Sequence, residues 1–151
     1  MNKLITVVFA LLIISCSSDN EESQDPIQNP TFSLNYLLKR WKFDKVIYNG
    51  VRYDYAHQPN CMKDEFTFAN QEGQIRYYNE LVFVNDICST NGLFLEWRIK
   101  NDTIYFYFGT QFVIDFKVIS LTEKKIIYSY YADVNNDGIK DLITIEAVPY
   151  L

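Results

Sequence analysis

The chain has few of the residues on which common catalytic sites depend. Its 151 residues include 1 His, 5 Gly and 4 Pro. The single His57 lies in a polar stretch and gives little support to a histidine-based metal site or a Ser-His-Asp triad. No particular pair among the 19 acidic residues is marked for glycoside hydrolysis. The sequence therefore predicts a protein that is not an enzyme.

Basic residues are also in the minority. The chain has 14 Lys and Arg against 19 Asp and Glu, which gives a formal net charge of −5. This balance argues against nucleic acid as a partner and disfavours anionic partners in general. There is no internal repeat at the periods that solenoids or propellers show.

The longest apolar run is too short to cross a bilayer. Residues 4–14 form a run of 11 residues that follows Lys3 and precedes Ser15 and Cys16, which are the proportions of a secretory signal. The stretch resembles the lipobox of bacterial lipoproteins, in which the signal is cut before a cysteine that carries acyl chains. The resemblance implies a signal peptide at residues 1–15 and a lipid anchor on Cys16. The alternative is an ordinary N-terminal membrane helix with a chance cysteine.

The stretch after Cys16 is polar and acidic. Residues 17–30 contain four acids and almost no apolar side chains, so they cannot bury enough surface to fold. We predict that residues 16–30 are a lipidated, flexible tether. Acids close behind the cysteine also resemble the export signal of some Gram-negative surface lipoproteins. We therefore expect an outer membrane lipoprotein that faces the cell surface or the periplasm.

Two further cysteines, Cys61 and Cys88, remain once Cys16 is assigned to lipid. In an oxidising compartment an even pair predicts a disulfide. A bridge across this loop would contribute roughly 3 kcal/mol in the chain-entropy description. A reactive thiol or a metal pair is the alternative, although no neighbouring His or Cys completes a metal site.

Aromatic residues and alternating side chains indicate that residues 31–151 form an all-β domain. The chain has 12 Tyr, 11 Phe and 2 Trp, and aromatic residues favour half-buried strands. The clearest alternation places Leu95, Trp97 and Ile99 on one face of a strand. About eight such segments follow one another with short turns between them. This pattern predicts an antiparallel meander or up-and-down barrel, with a two-sheet β-sandwich as the alternative.

Several of these features together resemble a known family. The acidic tether leads to a predicted short helix at residues 32–40, capped by Ser33, and then to a strand that carries Trp41. Paired cysteines, a Leu-x-Trp-x-Ile strand at residues 95–99 and a closing hairpin with an acidic turn follow. This combination is similar to the lipocalin-like lipoproteins of Gram-negative bacteria. The resemblance implies a barrel that binds a small apolar ligand without catalysis.

The acidic turn of the closing hairpin is a candidate calcium loop. It matches the pattern Asp-x-Asn-x-Asp-Gly-x-x-Asp, with oxygen ligands expected from Asp133, Asn135, Asp137, the carbonyl of Ile139, and Asp141. The twelfth position is Thr144, where an EF-hand has Glu, so a structural Ca²⁺ at a hairpin tip is the expected role. The alternative is a plain hairpin turn, for which Asn, Asp and Gly are also the preferred residues.

The strands between residues 93 and 118 carry the side chains that we predict to line the barrel. These are Trp97, Phe106, Phe108, Phe112, Ile114 and Phe116. An eight-stranded barrel is wide enough either to fill itself or to hold one small ligand, and side chains this large favour the filled case.

Two functions remain open at this point. The first is non-catalytic binding of a small apolar ligand inside the barrel. The second is a surface interaction module, in which a filled barrel contacts a protein or a glycan and the calcium loop adds stability. The second function depends on aromatic residues that we predict to face outward, namely Phe94, Tyr105, Tyr107, Tyr128 and Tyr130.

Overall fold

A computed structural model describes residues 31–70, 76–85 and 87–151. The predicted signal peptide, the tether and Cys16 lie outside the described residues. Within the described part, no helix is long and apolar enough to cross a membrane.

The predicted helix is present and is shorter than expected. Helix α1 spans only Leu34–Leu37, and Ser33 occupies its N-cap position without a side-chain hydrogen bond to the helix. The prediction that Ser33 caps the helix is therefore wrong. Burial holds this single turn in place instead, because Leu37 is fully buried and its carbonyl accepts a hydrogen bond of 3.1 Å from the indole of Trp41.

Within residues 31–70, 76–85 and 87–151, nine antiparallel strands follow the helix. They are β1 (Arg40–Tyr48), β2 (Val51–Asp54), β3 (Glu65–Asn70), β4 (Arg76–Val84), β5 (Ser89–Lys100), β6 (Thr103–Phe108), β7 (Gln111–Leu121), β8 (Ile126–Ala132) and β9 (Asp141–Pro149). Asn49 and Gly50 both have positive φ, as a tight turn between β1 and β2 requires.

The sheet closes into a barrel. Strand order is β2-β1-β3-β4-β5-β6-β7-β8-β9, and β1 also pairs with β9. That last pairing runs from Trp41 opposite Pro149 to Tyr48 opposite Ile143. Eight strands therefore form the barrel. The extra strand, β2, pairs with residues 45–48 of β1. Because the closing pairing leaves one continuous wall, the sandwich alternative is wrong and the barrel is confirmed.

The two ends of the barrel differ. Because consecutive strands are antiparallel, α1, the turns at residues 101–102 and 122–125 and the last residues of β9 lie at one end, which we call the plugged end. The turns at residues 49–50, 85–88, 109–110 and 133–140 lie at the other end, which we call the open end. Leu37 of α1 is fully buried, so α1 closes the plugged end.

Aromatic side chains fill the middle of the barrel. Phe68 lies with its ring centroid 5.6 Å from Trp97 and 6.0 Å from Phe106. Phe106 lies 4.5 Å from Phe116, which in turn stacks on Tyr128 at 4.5 Å. All five residues are at most 7% exposed. Such ring pairs contribute roughly 0.5–1.5 kcal/mol each beyond the burial of their area, so the interior is a packed core.

A β-bulge in β7 makes the predicted lining wrong for Phe112. The register between β6 and β7 shifts between Phe106 and Tyr107, so that Ile114 lies opposite Phe106 and Phe112 lies opposite Tyr107. Val113 is the extra residue, and it turns Phe112 to the outer wall, where it is 51% exposed. Phe108 keeps the inward phase but ends its strand at the open end, where it is 72% exposed.

Two tyrosines of β8 that we predicted to face outward do not do so. Tyr128 is 2% exposed in the core, and Tyr130 packs against that core from the open end. Both residues therefore face inward rather than outward. The strand is apolar on both faces, so alternation alone did not distinguish them. Phe94 is exposed as predicted, while Tyr105 and Tyr107 are half-buried on the outer wall.

Candidate functional site

Exposure of the inward-facing side chains rises sharply towards the open end. Along β5, exposure increases from 2% at Leu95 to 43% at Leu93; along β6, it increases from 0% at Phe106 to 72% at Phe108. The inward-facing side chains are therefore exposed to solvent at this end and buried in the middle of the barrel. We call this exposed region the mouth of the barrel.

The side chains packed on the core at the mouth are mostly aromatic and aliphatic. They are Val46 and Tyr48 from β1, Tyr55 from the loop after β2, Ile114 from β7 and Tyr130 from β8. Tyr130 lies 5.2 Å from Phe116 between ring centroids, and Tyr55 stacks on Phe43 at 4.7 Å. These rings form an apolar floor with hydroxyl groups at its edges.

One carboxylate, Glu80, faces the interior beneath the mouth. It lies opposite Phe66 in the register of β3 and β4, in the inward phase of that strand, and its Oε2 accepts a hydrogen bond from the Tyr78 hydroxyl. Burial raises the pKa of Glu80, and the Tyr78 hydrogen bond opposes part of that increase. Burial also raises the pKa values of Tyr128 and Tyr130, with Glu80 as a second cause. The mouth therefore combines apolar walls with one partly shielded acceptor.

A loop between β2 and β3 holds one side of the mouth. The His57 Nδ1 accepts a hydrogen bond from the Asp64 backbone N–H at 3.0 Å, and its Nε2 lies 3.0 Å from the Phe43 carbonyl. A neutral ring with its proton on Nε2 satisfies both contacts. Burial lowers the pKa of His57, which favours this neutral form. His57 is therefore a structural residue of this loop.

The disulfide predicted between Cys61 and Cys88 is present, with Cα atoms 5.4 Å apart. It joins the same loop to the turn between β4 and β5. Asp64, which is 2% exposed, adds a second link because its Oδ1 accepts a hydrogen bond of 2.7 Å from the Phe83 N–H. The alternative of a reactive thiol or a metal pair is wrong for these cysteines.

The candidate calcium loop lies at the open end. Backbone N–H groups of Asp137 and Gly138 donate to the Asp133 carboxylate at 3.1 and 2.9 Å, and Asn135 Oδ1 accepts a second bond from Asp137 N–H. Asp141 Oδ2 instead accepts a hydrogen bond of 3.3 Å from Tyr48. No three His, Cys, Asp or Glu side chains in the described ranges form a metal-binding group. Calcium binding through this loop, including the Ile139 carbonyl, stays a prediction.

The six predicted lining residues thus have four different environments. Trp97, Phe106 and Phe116 are buried in the core, and Ile114 is half-buried at the mouth. Phe108 lies on the rim of the mouth, and Phe112 lies on the outer wall. Sequence reasoning missed Glu80 and Tyr55. The signal for Glu80 was its even spacing from Tyr78 on β4, whereas Tyr55 lies at the start of a loop and had no such signal.

Comparison with known proteins agrees with this geometry. A model of the lipocalin-like domain family matches residues 37–128, more than half of the chain. The chain belongs to the lipocalin-like domain family. No curated protein sequence matches it.

Two similar solved structures come from the genus Bacteroides. A lipocalin-like protein from Bacteroides uniformis is 13% identical, with a TM-score of 0.47 over 76% of this chain and 99% of that one. An uncharacterized protein from Bacteroides eggerthii is 17% identical, with the same TM-score and coverage. Members of the lipocalin-like family are generally non-enzymatic, and the barrel fold is consistent with a non-catalytic binding module.

Proposed function

We propose that this protein is a membrane-anchored binding lipoprotein that takes a small, mainly apolar ligand at the mouth of its barrel. The observation that carries this proposal is the rise in exposure of inward-facing residues from the core to the rim. Phe106 is fully buried while Phe108, two residues further along β6, is 72% exposed. A ligand at this level contacts the core without displacing it.

The residues of the mouth define the chemistry of the ligand. Aromatic and aliphatic walls favour an apolar body, and ring faces add specific stacking contacts. Glu80 is an acceptor that faces the interior, and its pKa is raised by burial. A ligand with a hydrogen-bond donor or a positive charge would satisfy this carboxylate, so the best ligand is apolar with one donor group.

The proposed location follows from the sequence before the barrel. Acyl chains on Cys16 would hold the protein at the outer membrane, facing the cell surface or the periplasm, with residues 17–30 as the connection. Chain entry at α1 supports an arrangement in which the plugged end faces the membrane and the mouth faces away. Ligand would then reach the mouth from the aqueous side.

A fluorescence titration tests the binding proposal. Residues 31–151 contain the whole closed barrel and its core, so we expect this fragment to fold alone. N-phenyl-1-naphthylamine, a neutral apolar dye, should bind with increased fluorescence. Phe108→Ser should weaken this binding several-fold, whereas the matched Phe94→Ser variant on the outer wall should bind like wild type. Equal effects of the two variants, or no dye binding at all, would contradict the proposal.

One observation favours surface interaction as the second candidate function. Four aromatic residues lie together on the outer wall across β4–β7. Tyr77 stacks on Phe94 at 5.3 Å, and Tyr107 meets Phe112 edge-on at 6.1 Å. Phe94 and Phe112 are 57% and 51% exposed. Such a wall suits contact with a protein or a glycan. Loss of binding to a protein or glycan partner in Phe94→Ser, with normal binding in Phe108→Ser, would favour this function.

A further inference from the structure

A hollow on the outer surface at the plugged end has an unusual charge. Its volume is about 490 Å³, and it is lined by Lys42, Lys63, Lys124, Val148, Pro149, Tyr150 and Leu151. The lining contains three lysines and no acidic side chain. A cluster of positive charges is unexpected in a chain with a net charge of −5.

These three lysines differ from the other basic residues of the same face. Arg40 is paired with Glu65, and Lys45 is paired with Asp54. Lys42, Lys63 and Lys124 form no ion pair with any residue in the described ranges. Three ammonium groups against the single α-carboxylate of Leu151 at the same concavity leave a net positive potential that attracts an anion.

The hollow is built from elements that hold one another in place. Tyr150 donates its backbone N–H to the Arg40 carbonyl at 3.0 Å, and the Arg40 guanidinium lies 3.9 Å above the Tyr150 ring. Lys39 Nζ donates to the Glu123 carbonyl at 3.1 Å, which ties the turn that carries Lys124 to the start of β1. The lysines therefore extend from a defined frame.

A neighbouring hollow shows that this charge is local. It has a volume of about 220 Å³ and shares Lys42 and Lys63 with the first, but it also contains Asp44 and Asp54. Asp54 is already paired with Lys45. Acidic side chains therefore lie on the side towards the open end and are absent from the lining at the plugged end.

We propose that the hollow at the plugged end binds the phosphate-bearing head group of an anionic lipid. Lysines supply three point charges for the phosphate, while Val148, Pro149 and Leu151 supply an apolar wall for the start of the acyl chains. Free phosphate would use only the first of these features. This inference rests on the proposed anchoring for the source of the lipid, because the plugged end must face a membrane for the hollow to reach it.

The reach of the chain is compatible with this arrangement. Fourteen residues separate Cys16 from the first described residue, Thr31, and the 15 steps along the chain span at most about 50 Å when fully extended. Lysines attract an anionic surface only within about a Debye length, roughly 8 Å at physiological salt. Lipid binding in the hollow would therefore bring the plugged end into contact with the head groups.

Nuclear magnetic resonance of the full chain in neutral detergent micelles tests the site. Reductive ¹³C-methylation labels each lysine and keeps its charge. Short-chain phosphatidylglycerol should shift the signals of Lys42, Lys63 and Lys124 in a saturable way, whereas phosphatidylcholine should not. A variant with all three changed to Gln should bind at least tenfold more weakly. The matched control, Lys100, Lys117 and Lys140 changed to Gln, should bind like wild type.

Four results would overturn the proposal. They are an absence of shifts, equal shifts at all lysines, equal affinity for inorganic phosphate, and signals that move only when the four acids of residues 17–30 are neutralised. The third result would indicate a simple anion site, and the fourth would indicate that the chain's own acidic stretch occupies the hollow. The lysine signals report lipid binding directly whether or not Cys16 is acylated, so a failure of the anchoring proposal leaves this test intact.

Discussion

Glu146 on the outer wall is the most connected charged residue of the barrel, and its removal tests how the wall is held. Its two carboxylate oxygens accept hydrogen bonds from Arg52 at 2.7 and 2.9 Å, and Oε2 also accepts one from Lys125 at 2.8 Å. Arg52 lies on β2, and Lys125 comes directly before β8. One carboxylate on β9 therefore links the extra strand to the barrel across β1.

The stabilisation that these contacts provide can be worked out from the change in the pKa of Glu146. Hydrogen bonds from Arg52 first and Lys125 second lower the pKa of Glu146 from 4.5 to about 2. This change corresponds to at most about 3.4 kcal/mol. Glu146 itself is 7% exposed, but the Arg52 and Lys125 side chains are 51% and 38% exposed. Because water screens such partners, we reduce the expected stabilisation to about 1–2 kcal/mol.

Because the pKa of Glu146 is lowered in the folded state, its contribution to stability depends on pH. A carboxyl group with a lowered pKa in the folded state stabilises the protein at pH values above the unfolded pKa, here 4.5. That contribution disappears as the pH falls from 4.5 to about 2. Glu146→Gln should therefore lower the free energy of unfolding by about 1–2 kcal/mol at pH 7, and the difference from wild type should shrink below pH 4.5.

Urea denaturation monitored by tryptophan fluorescence measures this difference at a series of pH values from 7 to 3. Glu96→Gln is the matched control, because Glu96 is exposed on the outer wall and has no ion pair in the described residues. It should unfold like wild type at every pH. A loss below about 0.5 kcal/mol for Glu146→Gln at pH 7, or a loss that stays constant down to pH 3, would refute this account of the network.

Four shorter predictions concern other parts of the chain. Replacing Cys61 and Cys88 by Ala should cost roughly 3 kcal/mol in a urea melt, and a smaller loss would mean that the hydrogen bonds of the loop suffice. Calcium should raise the melting temperature by several degrees relative to a chelator if residues 133–141 bind the ion, and no change would leave a plain turn. Cys16→Ala should release the protein from membranes on fractionation. Because burial lowers the pKa of His57, stability should fall as the pH drops below about 6.5, and this loss should be absent in His57→Gln.

Local alternation was sufficient to predict the class of fold. Each strand of an antiparallel barrel has one wet and one dry face, so Leu95, Trp97 and Ile99 on β5 identified themselves by period alone. The number of strands came out as eight, and the structure has eight in the barrel with β2 as a ninth. β2 was visible in the sequence, but its place outside the barrel depends on pairings between residues that are distant in the chain.

The candidate site was harder to predict for a physical reason. A bulge shifts the phase of a strand without leaving a mark in the sequence, and Val113 therefore turned Phe112 away from its predicted place. Strands that are apolar on both faces have the same ambiguity, which is why Tyr128 and Tyr130 were assigned to the wrong side. In both cases the missing information was tertiary register, which a single sequence does not contain.

Net charge describes the whole chain and not the electrostatic field at one place on its surface. A balance of −5 disfavours anionic partners only when the charges are evenly spread. In this fold, acids compensate four basic residues by direct pairing, namely Arg40, Lys45, Arg52 and Lys125. Several other bases have no ion pair in the described residues, and three of them, Lys42, Lys63 and Lys124, line one hollow. Because a ligand responds to the field where it binds, an acidic protein can carry a site for an anion, and its place depends on which bases the fold leaves without partners.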